Sequence, residues 1–156
     1  MNPETGIKNA DEALKEQEEV AVLTAGTSMQ PMLREHRDIA IIERVNRKLR
    51  ANDVPLYRKS GYDKLVLHRI LKVTKNGYVI RGDNLFTKEY DVTDDDIVGV
   101  LKAFSRDGKY YACQKSKAYR LYVFFIRVTY PAKFLWRRKI RPFLGRIKRV
   151  ILGRRH

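Results

Sequence analysis

The 156-residue chain holds one cysteine, Cys113. A single thiol excludes an internal disulfide framework and any metal site built on two thiolates. A free cysteine usually serves as a small buried hydrophobe, and Cys113 is expected to do so. The three histidines, His36, His68 and His156, are scattered and lack the paired spacing of metal ligands. No metal or other cofactor is expected. Long apolar runs are also missing. Leu121–Val128 is the richest stretch and is broken by Arg127, whereas a spanning helix needs about 20 mostly apolar residues. Residues 1–19 are rich in acids and amides, the opposite of a secretory leader. Neither a transmembrane helix nor a signal peptide is expected, which leaves a cytoplasmic or peripheral membrane location. Acidic residues vanish from one end altogether. Residues 115–156 carry 14 Lys and Arg and no Asp or Glu, while residues 1–114 carry 19 basic and 18 acidic side chains. The net charge of +15 therefore belongs to a tail.

The remaining composition, 44% apolar and 10% aromatic, suits one globular domain with a real core. Asp11–Glu19 is made of good helix formers behind a capping Asp. Val20–Thr24, Asp38–Glu43 and Asp53–Arg58 read as short strands. Leu65–Val73, rich in Leu, Val and Ile, reads as one buried strand. Asn76-Gly77 is a two-residue hairpin signal that leads to a returning strand, Tyr78–Arg81. Ile97–Phe104 and Lys109–Cys113 complete the series, joined by Asp107-Gly108. Many short strands at close spacing predict a mainly β fold, a barrel or mixed sheet. The expected division is an acidic helical segment (1–19), a β domain (20–114) and a basic helical tail (115–156). In that tail Ser116–Tyr130 is loosely helical, Pro131 interrupts, and Ala132–Leu152 repeats apolar residues at steps of three and four between Arg and Lys.

Two residues stand out chemically. Ser28 follows the small-residue turn Ala25-Gly26-Thr27 and precedes Met29-Gln30-Pro31. A serine needs a base beside it and amide donors near the forming oxyanion. The amides of Thr27 and Ser28 are the candidates for the latter. His68 lies inside Leu67-His68-Arg69-Ile70, an unusual place for a packing histidine, and its near-neutral pKa suits a general base. Asp83, in Arg81-Gly82-Asp83-Asn84, could orient the imidazole as the acid of a triad. Taken singly, each element also fits an ordinary loop serine, structural histidine or turn.

Together and in this order, Ser28-Met29-Gln30-Pro31, Arg37-Asp38-Ile39, Leu67-His68-Arg69-Ile70 and Arg81-Gly82-Asp83-Asn84 resemble the signal peptidase I family, in the branch that pairs serine with histidine. The resemblance spans roughly residues 20–103. It implies a signal-peptidase or LexA-like β fold, metal-independent cleavage of leader or secreted peptides with small residues before the cut, Ser28 as nucleophile and His68 as base. The family's second acidic position falls near Glu89 or Asp91, which are alternatives to Asp83. Three departures accompany it: an acidic helix where the family has a membrane span, Gly26 where a serine often assists the oxyanion, and the ambiguity of the acid. The competing reading is a peptide-binding or regulatory module that keeps the fold without catalysis. A self-cleaving LexA-like regulator ranks below both, because 1–19 is too short for a DNA-binding domain. For the tail, an anionic membrane surface is the leading partner. A helix packed on its own domain follows, and nucleic acid comes last because no reading motif is present.

Overall fold

The structure, a computed structural model, describes residues 10–59, 61, 64–113, 116–136, 140 and 142. The protein is mainly β, with a curled half-barrel sheet and two helices. In chain order the elements are α1 (Ala10–Glu16), β1 (Glu19–Leu23), β2 (Ile39–Glu43), β3 (Pro55–Arg58), β4 (Leu65–Leu67), β5 (Arg69–Thr74), β6 (Gly77–Arg81), β7 (Glu89–Val92), a 3₁₀ turn (Asp94–Asp96), β8 (Ile97–Arg106), β9 (Lys109–Ala112) and α2 (Lys117–Leu135).

The larger sheet runs β1-β2-β8-β3-β4, with β9 also on β8, and the smaller runs β5-β6-β7. All pairings are antiparallel. Strand β8 is the spine. Its ten residues pair with β2, β3 and β9 in turn. Irregularities in register at Ile41/Ile42 and Leu56/Tyr57 bend the strands on either side of it. The alternation of Val20 and Val22 in β1 and of Ala40 and Ile42 in β2 turns those residues inward. Between the sheets, Tyr57, Ile70, Tyr78, Ile80, Val92 and Val100 form a buried cluster with Leu49. Ile70 and Ile80 are 0% exposed, and each contributes about 1.5–3 kcal/mol by leaving water.

The chain divides into two compact units, Met1–Arg120 and Leu121–His156. This boundary falls inside α2. Helix α1 lies in the first unit with the strands. Its Ala10 and Leu14 are buried, and Leu14 packs close to Gly99 of β8.

Several sequence expectations are corrected. The helix expected over 11–19 ends at Glu16, and Glu19 already pairs with Glu43. The single strand expected over 65–73 is two strands in different sheets, separated at His68. The chain turns there because Ile70 exchanges backbone bonds with the 52–53 loop, accepting from Asn52 N and donating to Asp53 O, both at 2.8 Å. Strand β7 was not expected. Pro131 does not interrupt α2, which continues to Leu135; one missing donor is tolerated where the flanking turns carry on. The apolar repeat expected through Phe143, Leu144, Ile147, Val150 and Ile151 lies outside the described residues, as do 1–9 and Ser60.

Candidate active site

Ser28 sits on the loop between β1 and β2. Thr24 closes the base of that loop. Its hydroxyl donates to Arg34 O at 2.7 Å and to Asp38 O at 2.9 Å, and its carbonyl accepts from His36 N at 2.8 Å. Met29, Met32 and Leu33 are buried and anchor the loop from below. Ser28 itself is half-buried and Thr27 exposed. Gly26 takes a left-handed φ of 79° and donates its amide to Glu35 at 2.9 Å.

The turn after β6 is stitched to this loop. Asn84 N donates to Ser28 O at 2.8 Å, and Asn84 Nδ2 donates to Thr27 O at 3.1 Å. Gly82 fills the remaining gap. A Cβ on Gly82 would lie 2.7 Å from Ser28 O and 3.1 Å from both His68 Nε2 and Cδ2. Glycine is needed here for close approach, and the same point brings the Ser28 backbone and the Nε2 edge of His68 together. No hydrogen bond joins the Ser28 hydroxyl to the imidazole among the described residues; the hydrogen bonds of His68 are made by Nδ1.

His68 is 3% exposed. Its Nδ1 is 3.1 Å from Glu89 Oε1 and 3.1 Å from Tyr57 Oη. Tyr57 donates to the same Glu89 oxygen at 3.0 Å, and Lys59 Nζ lies 3.0 Å from Glu89 Oε2. Burial pushes the Glu89 carboxyl up, but hydrogen bonds from Lys59 and Tyr57 and the charges of Lys59 and His68 outweigh it, so its pKa is lowered. An ionised carboxylate only accepts, which assigns the imidazole proton to Nδ1 and leaves the Nε2 lone pair facing Gly82 and Ser28. Burial pushes the His68 pKa below its ordinary value, with Glu89 opposing. Burial and Glu89 both push the Tyr57 phenol up.

Asp83 does not take the acid's place. Its oxygens accept from Arg69 Nε at 2.8 Å and Nη2 at 2.7 Å. Arg69 also donates to Asn52 O, Tyr119 Oη and Met32 Sδ, so this buried pair ties β5 to the Gly82 turn, the Ser28 loop and the first turn of α2. Asp91 is exposed on β7. Of the three acids considered from the sequence, Glu89 is the one that reaches the imidazole. Tyr57 and Lys59 were missed. Their signal was a polar-tipped aromatic inside an apolar strand, with a lysine two residues on and hence on the same face.

Ser28 borders a groove of about 200 Å³ on the larger sheet. Val22 and Leu23 of β1, Ala40 and Ile42 of β2, Leu56 of β3 and Leu65–Leu67 of β4 contribute to its walls. Strands β1 and β4 end the path β1-β2-β8-β3-β4, so the groove is apolar within and flanked by strand edges that pair with no further strand among the described residues. Among the described residues no group of three or more His, Cys, Asp or Glu could hold a metal ion, and no helix is long and apolar enough to cross a membrane. No protein-family model matches this sequence, and no curated protein does.

Proposed function

We propose that the protein is a serine endopeptidase resembling signal peptidase I, in which Ser28 is the nucleophile, His68 the general base and Glu89 the acid that orients it. The observation that carries this reading is the meeting at Gly82: the lone-pair edge of a buried, Glu89-held imidazole and the Ser28 segment touch the same point.

In this mechanism an extended peptide adds as a strand beside β1 or β4, with main-chain hydrogen bonds to the open edge and alternate side chains in the groove. The modest groove volume suits small or medium apolar side chains before the cut. Its carbonyl carbon reaches Ser28. The Ser28 hydroxyl passes its proton to His68 Nε2 as Oγ attacks, and Glu89 stabilises the imidazolium that forms. The amide of Ser28, which has no acceptor among the described residues, is a donor for the oxyanion. His68 then returns the proton to the leaving amine, and water repeats the sequence on the acyl-enzyme. The hydroxyl and imidazole close their hydrogen bond as substrate binds, since catalytic contacts are commonly loose in an empty site.

Ser28→Ala is expected to abolish cleavage of a peptide carrying small residues before the scissile bond, read by mass spectrometry, and to end labelling by a fluorophosphonate probe. Undiminished hydrolysis by that variant would return the fold to a non-catalytic peptide-binding role.

A further inference from the structure

Helix α2 is built with two apolar faces. Val123 and Ile126 are buried. Leu121, Phe124, Phe125 and Val128 follow steps of three and four, and Leu135 and Trp136 continue the same stripe. These six are between 49% and 59% exposed. A solvated stripe of this size on a soluble surface marks a place where something docks. The helix has no acidic residue, and Arg120 and Arg127, seven apart and both exposed, run along one margin of the stripe. They belong to the 14 cations that residues 115–156 carry without a single carboxylate.

We propose that this open face of α2 docks on an anionic lipid bilayer. Leu121, Phe124, Phe125 and Val128 enter the headgroup boundary, and the surrounding Lys and Arg lie over lipid phosphates. The charge decides the occupant. Two copies of the chain meeting through this face would bring like charge against like charge. Nucleic acid would use the cations but leave the aromatic stripe in water. A bilayer with acidic headgroups satisfies both at once, and the helix lies on the surface because it is not apolar enough to cross.

The chain has one tryptophan, Trp136, and it is on the stripe, so intrinsic emission reports the site directly. The full-length protein is to be sedimented with vesicles of phosphatidylcholine alone and with vesicles that include phosphatidylglycerol. Binding and a blue shift of Trp136 emission are expected only with the second. Both should be lost as ionic strength rises from about 0.1 M to about 1 M, which shortens the Debye length from about 10 Å to about 3 Å. Replacing Phe124 and Phe125 together with serine should weaken binding at least about tenfold while leaving the thermal unfolding curve in place, since both side chains are already in water. Ser28→Ala should bind like the parent, which separates this surface from the catalytic reading. Equal binding to both vesicle types, parent-like binding by the Phe124→Ser/Phe125→Ser protein, retention of an oligonucleotide with no vesicle binding, or a lipid-free dimer that blue-shifts Trp136 would each overturn the proposal.

Discussion

His68 can act as a base because its two ring nitrogens have different surroundings. Nδ1 is held by Glu89 and Tyr57, and Nε2 looks across Gly82 toward Ser28. Burial lowers its pKa from 6.5, Glu89 raises it and Lys59 lowers it. In the proposed mechanism the neutral imidazole is the active form, so the acid limb of kcat/KM should have its midpoint below 6.5. Two substitutions should move that limb in opposite directions. Glu89→Gln removes a group that favours the imidazolium, so the limb shifts to lower pH, and kcat falls roughly hundredfold or more as the tautomer is no longer fixed. Lys59→Met removes a cation that opposes the imidazolium, so the limb shifts to higher pH. Shifts of the same sign would show that the chain of contacts from Lys59 through Glu89 does not act on His68. Gly82→Ala makes a sharper demand on geometry. Its methyl would press within 2.7 Å of Ser28 O, a backbone atom that cannot swing aside. A displaced Ser28 loop should cost about hundredfold in kcat, with substrate KM changing less, in a protein whose circular dichroism stays native.

Strand breaks and pairings decide which of several acids does what. Arg69 opens β5 immediately after His68, and its side chain and that of Asp83 are only 1% and 2% exposed. Removing one partner of such a pair strands the other charge, at a cost of about 3–5 kcal/mol. Asp83→Asn and Arg69→Met should both lower the urea midpoint accordingly. Asp83→Asn, measured well below its midpoint, should keep kcat within a few fold of the parent, whereas Glu89→Gln, measured likewise below its own midpoint, should lose turnover. The reverse pattern would make Asp83 the acid. The sequence made Ser28, His68 and the Gly82 turn legible because each is a short motif with its own chemistry. It left the acid open among Asp83, Glu89 and Asp91, since separation along a chain does not reveal which carboxylate a neighbouring arginine has already taken. The break at His68 was hidden for a related reason: Leu65–Val73 is rich in Leu, Val and Ile on both sides of His68-Arg69, and that pattern cannot show that hydrogen-bond partners change sheet midway. Glu89–Val92 is only four residues long, half of them carboxylates, and buries Val92 alone, so β7 owes more to its pairing with β6 than to its own pattern.

Over the whole chain, charge is unevenly placed, with near-neutral residues ahead of position 115 and a purely basic run from there on. What composition could not show is that the exposed apolar stripe begins at Leu121, ahead of Pro131, because a residue count carries no exposure. The placement of charge also sets how the fold should respond to acid. His68 is buried with a lowered pKa, so between 6.5 and its folded value the unfolded chain binds more protons and stability falls as pH drops. Asp38 and Glu89 behave as depressed carboxyls. Burial pushes each up, but bonds from Arg106 and the Arg34 amide to Asp38, and from Lys59 and Tyr57 to Glu89, prevail. Their contribution is complete above their ordinary values of 3.8 and 4.5 and is lost as pH falls through the lower folded values. Thermal melts should therefore decline on acidification in two stages, a first below pH 6.5 and a second below about pH 4. His68→Gln should remove the first stage and leave the second. Asp38→Asn should lower the melting temperature at neutral pH, because Arg106 loses its partner, and flatten the second stage. A single steep acid transition unaffected by either change would mean that the stability of the fold is governed by groups other than these.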